Sequence, residues 1–424
     1  MEEQVFVGRE NELNKIKGLG EPQSKGLHFI GAPKIGKTAL LNRASYELRE
    51  RAASGAPFLC PVSIPWSPGV TFALWFDTWL QIRQFFDHLM MAASISGEEY
   101  DAVQRAINEH KKAEGENRLR FLKELKALVK ELYIVFLLDN FAQALHTSYQ
   151  VCEGLVVPQE LIGFAKDEPE WIKLVVTSRR YEHDALYQVR GVLEEGEWLL
   201  LLSREEAYEL AGRLLGTEPD NPLLEPIVEW AGYHPYYIYT LVARVSRPAT
   251  RADIHVAIKK WREDRELQEH LRELWEYLDL RYHLGAVFVL QSVPKAGIPR
   301  KAKQLKRSDL EGGIEYLYNR SVLAIETKED GMEWVRVPAR LFRDFARHWI
   351  AIPPEQEWYI FTWDWLFKVV TTCLFGSTLA AFLLRHARVF GVELGSPICI
   401  LGIPLVAALL YIIITFVCCR RRNS

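Results

Sequence analysis

Apolar residues follow two rhythms along this chain. Short unbroken runs stand apart from one another: Leu27–Gly31 (LHFIG), Phe58–Ile64 (FLCPVSI), Tyr133–Asp139 (YIVFLLD), Lys173–Thr177 (KLVVT) and Trp198–Leu202 (WLLLL). Runs of this length without alternation read as strands buried on both faces. Between them the apolar positions recur at helical spacing, from Lys37 to Arg51 and through 70–130, with an exposed charged stretch near His110–Asn117. Strands separated by helices predict an α/β fold with a parallel sheet. Pro61 cannot donate to a ladder, which predicts an edge position for the second run.

After residue 202 the rhythm is helical. Ser203 and Glu206 have capping-box spacing, and helices are expected over 203–215, 222–231 and 235–246. Arg251–Leu280 is a charged helical stretch that reads as a connector. The segment LGAVFVLQSV is helical, and Ser308 is placed to cap a helix running to Asn319. Val322–Thr327, the turn KEDG (328–331) and Trp334–Val337 predict a hairpin, and Ala339–Ile350 a final helix. Helices followed by a β-ribbon and a helix make a winged-helix layout.

The last sixty residues hold most of the apolar excess. Ile398 to Cys419 contains no charge and is long enough to cross a bilayer. Val369–Leu384 is a shorter charge-free run, extended upstream by Trp363, Trp365 and Phe367. Trp358, Tyr359, Trp363 and Trp365 have the character of an interfacial belt, and Arg420–Arg422 satisfy the positive-inside rule if two segments cross. The expected organisation is an α/β domain over 1–202, a helical lid and connector over 203–280, a winged helix over 281–352, a transmembrane hairpin over 358–419 and a basic tail over 420–424. A multi-pass membrane anchor with the α/β domain in the cytoplasm follows.

Composition removes several alternatives. The chain has 424 residues, of which 49% are apolar and 25% charged, and glycine and proline together make about a tenth. That excludes collagen-like and low-complexity chains. A net charge of −3 gives no global attraction to nucleic acid. The six cysteines form no CxxC pair and no Cys/His cluster, which argues against a disulfide framework or a structural zinc site. The N-terminal MEEQVFVGRE is acidic and has no apolar h-region, so no signal peptide is expected and a reducing compartment is.

The candidate chemistry lies after the first apolar run. Gly31-Ala32-Pro33-Lys34-Ile35-Gly36-Lys37-Thr38 fits GxxxxGK[ST], and Ala39 continues into the helix behind it. Backbone N–H groups of such a loop cradle phosphates, Lys37 reaches the β/γ-phosphates, and the Thr38 hydroxyl ligates Mg²⁺. Asp139, at the end of the most apolar run, is the expected second anchor for Mg²⁺. The strand candidate 58–64, between the phosphate-loop strand and the Asp139 strand, favours the branch of P-loop proteins that places a glutamate after this aspartate. Here the next residue is Asn140, whose amide orients water but takes no proton. Asp139, Glu153 and Glu160 are the remaining candidates for a base. Thr177-Ser178-Arg179-Arg180 ends the next run, where an arginine can sense a terminal phosphate.

Five segments together resemble the STAND class of P-loop NTPases, relatives of AAA+ ATPases: FVGRENEL (6–13), GAPKIGKT (31–38), LLDN (137–140), VVTSRR (175–180) and AGYHPYYI (231–238). The resemblance covers about residues 5–350. It implies that Val7, Gly8 and Arg9 lie near the adenine of bound ATP or ADP and that Arg179 is the sensor. It also implies that Gly232 and Pro235, with His234 between them, belong to a lid that closes with the winged helix over ADP. His234 can donate to a β-phosphate, and Pro235 suits the first position of a helix. The chain departs from the class at Asn140, and neither an N-terminal effector domain nor a repeat array is expected.

A winged helix can also read DNA. The candidate recognition helix Ser308–Arg320 carries Asp309, Glu311 and Glu315, which repel phosphates, although Arg300, Lys301, Lys303, Lys306 and Arg307 precede it. A packing role is favoured. The leading expectation is a membrane-anchored, ATP-dependent signalling switch that self-associates on activation by an unknown protein trigger and acts through its membrane segments. The alternatives are a membrane-tethered, DNA-associated AAA+ ATPase and a non-hydrolysing nucleotide-binding membrane adaptor.

Overall fold

The unbroken apolar runs are the strands of one sheet. The structure, a computed structural model, describes residues 5–21, 23–55, 57–65, 74–110, 117–141, 157–179, 189, 191–280, 283–294, 297–301, 308–328 and 331–350. Strands β1 (Leu27–Ile30), β2 (Phe58–Pro65), β3 (Leu132–Asp139), β4 (Ile172–Ser178) and β5 (Glu197–Trp198) pair in the order β2-β3-β4-β1-β5. All neighbours are parallel. β3 and β4 are buried along nearly their whole length, the burial expected of central strands covered by helices on both faces. Pro61 lies on β2, at the sheet's edge, where its missing N–H costs no ladder bond. β4 separates β1 from β3, so the phosphate-loop strand and the Asp139 strand are not neighbours.

The register aligns three strand tips. Ile30 pairs with Ser178, and Leu138 with Val176. The chain beyond β1, Asp139 on β3 and Arg179 after β4 therefore emerge at one end of the sheet, the usual ligand edge of an open α/β sheet. Helices α1 (Glu10–Lys17), α2 (Lys37–Ala53), α3 (Leu74–Met91), α4 (Gly97–His110), α5 (Asn117–Leu128) and α6 (Val157–Asp167) complete this part. The apolar core between β2, β3 and α3–α5 includes Phe85, Phe86, Phe121 and Phe136, all fully buried.

The run WLLLL departs from its expectation. Only Trp198 belongs to a strand, and residues 199–202 leave the sheet. The Leu199 N–H donates to Ile30 O at 2.7 Å, while the Leu202 N–H donates to Tyr233 O at 3.0 Å. The run is apolar because Leu199 and Leu202 are buried, not because the sheet continues.

Helices α7 (Arg204–Leu215), α8 (Leu224–Ala231), α9 (Pro235–Val242), α10 (Arg251–Arg262) and α11 (Arg265–Leu278) follow. α7 starts with the full capping box: Ser203 Oγ accepts from the Glu206 N–H and Glu206 reaches back to the Ser203 N–H. Pro235 is the first residue of α9, with His234 as N-cap. The stretch 251–280, expected to be a connector, is two helices broken at Asp264, which caps the second by accepting from the Leu267 N–H.

Next come α12 (Leu284–Ser292), β6 (Ile298–Pro299), α13 (Ser308–Asn319), β7 (Ala324–Thr327), β8 (Glu333–Arg336) and α14 (Arg340–Ile350). The expected hairpin β7–β8 is present, and β6 adds a third antiparallel strand in the order β6-β8-β7. α13 packs close to α12, with Gly313 against the Gly285 backbone. Glu311 of α13 is paired with Arg300. Gly313 of the candidate recognition helix thus serves helix packing, and one of the helix's acids is balanced from within the chain.

The described residues up to His348 belong to one compact unit. The expected membrane segments 358–419 and the tail 420–424 lie outside the described residues. Among the described residues, no helix is long and apolar enough to cross a membrane, and no cluster of three or more His, Cys, Asp or Glu is arranged to hold a metal ion.

Candidate nucleotide site

The loop 31–36 turns from β1 into α2 with two residues in the left-handed region, Lys34 at φ 58° and Gly36 at φ 105°. Gly36 is the N-cap of α2, so the helix presents its free N–H groups towards the loop. Pro33 and Ile35 lie in the loop, and Ile35 is buried beneath it. A side chain at Gly31 would meet Ile35 at 2.7 Å.

Lys37 is buried and folded back onto its own loop. Its Nζ donates to Gly31 O at 2.9 Å and to Ala32 O at 2.7 Å. Burial pushes its ammonium down to about 8, Asp139 and Glu273 draw it back up, and Arg179 adds to the fall.

Thr38, Asp139 and Thr177 form a connected polar group. Thr38 Oγ1 donates to Asp139 Oδ2 at 2.5 Å and Thr177 Oγ1 donates to Asp139 Oδ1 at 2.6 Å. The Asn140 N–H lies 3.1 Å from Asp139 Oδ1 and 3.0 Å from Thr177 Oγ1. Asn140 takes φ 52°, a conformation that asparagine tolerates well. The hydroxyl of Thr38 beside the carboxylate of Asp139 is a hard-oxygen donor set of the kind Mg²⁺ accepts.

The N-terminal segment and the lid close in from the other side. Arg9 is the left-handed N-cap of α1, and its guanidinium donates to Leu200 O and Glu12 Oε1. Val7 is buried, and Gly8 packs so tightly that a Cβ would stand 2.6 Å from Glu206 Oε1. Pro235 lies over the loop, with its Cγ 3.9 Å from where a Gly36 Cβ would be.

His234, next to it, is buried and stacks on Tyr237 with ring centroids 4.3 Å apart. Neither ring nitrogen of His234 or His270 has a hydrogen-bond partner among the described residues. Burial lowers the His234 imidazole far below its ordinary range, and the positive charges of His270, Arg9, Lys37 and Lys34 lower it further. Two buried imidazoles without partners beside a cationic loop leave donors and acceptors ready for a ligand.

Arg179, the expected sensor, stands at the tip of β4, where its Nη1 donates to Glu273 Oε1 at 2.6 Å. Lys34 is also engaged by the lid: its Nζ donates to Tyr236 Oη at 2.9 Å and lies 3.4 Å from Glu266 Oε1. Tyr236, Glu266, His270 and Glu273 are the site residues that sequence reading passed over. Their only signal was the spacing of Glu266, His270 and Glu273 along one helical face. Arg180 and Glu153 lie outside the described residues, and the side chain of Glu160 is not described. Ala39 continues α2 behind Thr38.

A cleft of about 1100 Å³ reaches the site only at Arg9. It lies between α1, residues 197–206 and β7, and no loop residue lines it. The phosphate loop is instead covered by the lid.

The strand order, the loop on β1 and Asp139 on a strand two positions away define an α/β fold of the P-loop kind. No family model matches the chain, and no curated protein is similar to it in sequence. Among solved structures it is similar to the Walker-type ATPase PABY2304 of Pyrococcus abyssi, at 16% identity over 81% of this chain and 97% of that one, with a TM-score of 0.45. It is also similar to the ORC2 protein of Aeropyrum pernix in its ADPNP–ADP complexes, at 12% identity over 82% and 96%, TM-score 0.43. A third is AMPPCP-bound DnaA of Aquifex aeolicus, at 13% identity over 74% and 80%, TM-score 0.36. These likenesses are of general arrangement, and the reading of the site rests on its own residues.

Proposed function

We propose that this chain is an ATP-dependent switch of the STAND kind, in which bound nucleotide sets the docking of the lid and the winged-helix segment. One observation carries the reading. The turn 232–235 touches the phosphate loop through Pro235 and the start of α14 through Gly232, so whatever enters the loop acts on both.

Val7, Gly8 and Arg9 flank the adenine, the loop cradles the phosphates, and Lys37 leaves Gly31 O and Ala32 O to reach the β- and γ-oxygens. Thr38 and Asp139 would hold Mg²⁺, which when bound would neutralise phosphate charge. Arg179 and His234 read the phosphates. Asn140 takes no proton from water, so turnover is slow and ATP acts chiefly as a bound signal.

Release of the lid exposes a surface for self-association, in answer to a protein trigger. The segments Val369–Leu384 and Ile398–Cys419 anchor the chain to a lipid bilayer with the α/β domain on the cytoplasmic side. Clustering of these anchors is the output.

The test uses the full chain purified in detergent, with Lys37→Ala as control. Co-purified ADP and slow turnover that disappears in the variant are expected. Absence of bound nucleotide together with absence of turnover refutes the reading. Flotation of the full chain with liposomes, lost when 358–424 are removed, tests the anchor.

A further inference from the structure

Both exposed cations of the site are held by carboxylates of a single helix. Glu266 and Glu273 of α11 face Lys34 and Arg179 respectively. Glu266, His270 and Glu273 recur at i, i+4 and i+7 and so line one face of that helix. Between the two acids, His270 is fully buried, its Nδ1 3.7 Å from Glu273 Oε2, too far for a hydrogen bond. Glu273 is also close enough for its charge to act on Lys37.

Two carboxylates spaced two helical turns apart thus address the loop and the β4 tip, the positions that phosphate oxygens address in a loaded P-loop. An exposed ion pair of this kind contributes little to stability. Its effect is on what can replace it. An incoming terminal phosphate must take Arg179 from Glu273 and then stand beside that same negative charge.

We propose that Glu273 is a built-in competitor of the terminal phosphate for Arg179, so that triphosphate entry displaces α11. This rests on the reading of the loop as a nucleotide site. The consequence is a discrimination between nucleotides. A diphosphate does not reach Arg179 and leaves the Arg179–Glu273 pair standing with the lid closed. A triphosphate breaks the pair, and the repulsion between its γ-phosphate and Glu273 drives the lid helix outward.

The experiment measures equilibrium binding of ATP and ADP, with Mg²⁺, to the detergent-purified full chain. Glu273→Gln keeps the side chain's shape and removes its charge, and the residue is exposed enough to change without disturbing a core. ATP affinity is expected to rise about 3- to 5-fold, with ADP affinity changed less than about 2-fold. In an Arg179→Gln background the same change is expected to raise ATP affinity by a smaller factor, because only the direct repulsion between Glu273 and the γ-phosphate is then left to remove. Glu269→Gln, on the same helix but paired with Arg265, is expected to change neither affinity.

Equal shifts for ATP and ADP, or an unchanged ATP affinity, overturn the proposal. So does abolished turnover at unchanged affinity, which makes Glu273 a catalytic base instead. Failure of the nucleotide-site reading shows separately, as wild-type binding that is absent or indifferent to Lys37→Ala, and it overturns both.

Discussion

Lys37 carries a charge in a place that disfavours charge, and nucleotide binding is expected to reveal this as a proton. Burial lowers its ammonium from 10.5 to about 8, which at about 1.4 kcal/mol per tenfold in the equilibrium is about 3 kcal/mol. The sign follows from the two states. Below pH 8 the group is charged in both the folded and the unfolded chain, and the folded state bears the cost. From pH 8 to about 10.5 the folded chain releases the proton first, so the ligand-free protein gains up to about 3 kcal/mol from this group over that window.

A phosphate beside Nζ restores the charge. Binding is therefore expected to take up about 0.1 proton at pH 7, half a proton at pH 8 and about 0.9 at pH 9. Between pH 8 and 9 the phosphates are fully ionised and His270, lowered to about 4 mainly by burial, is neutral, so the rise belongs to Lys37. Titration calorimetry of ADP in two buffers of different ionisation enthalpy measures it. Ligand-free Lys37→Met, which has no such proton, is expected to lack the gain in stability above pH 8. Proton uptake that stays flat from pH 8 to 9 refutes the reasoning.

Three further expectations concern the frame of the site. Gly232 takes φ 65°, and an added Cβ would stand 2.5 Å from Ala339 N, so Gly232→Ala is expected to lose about 2–5 kcal/mol from strain and overlap, read by urea denaturation. Thr38→Ala removes one magnesium-directed oxygen, and its ATP affinity is expected to fall about tenfold or more and to lose most of its response to EDTA, as titration with and without chelator will show. Ser203→Ala breaks the capping box of α7 and is expected to cost about 1 kcal/mol, seen as a lower melting temperature with nucleotide affinity unchanged.

The fold was largely legible where burial had left an unambiguous trace. β2, β3 and β4 fall within one residue of the apolar runs at either end, because strands covered on both faces have no reason to carry polar residues. Lys173 is the charged exception inside β4, and its Nζ finds Ser24 O at 2.6 Å and Pro169 O at 2.7 Å.

The run 198–202 misled because leucine records burial without recording what does the burying. β6 was invisible because two residues have no periodicity. Within the site, the loop and Asp139 were readable as a motif, whereas Glu266 and Glu273 were not. Charged residues on a helix look solvated until the helix is placed against a partner of opposite sign.

The two-residue length of β5 fixes how far the lid can travel. Once the bonds at Leu199 and Leu202 let go, only residues 199–203 join the sheet to α7, a leash of about 17 Å when pulled straight. A lid on so short a leash stays within about 17 Å of the sheet end that carries its own loop.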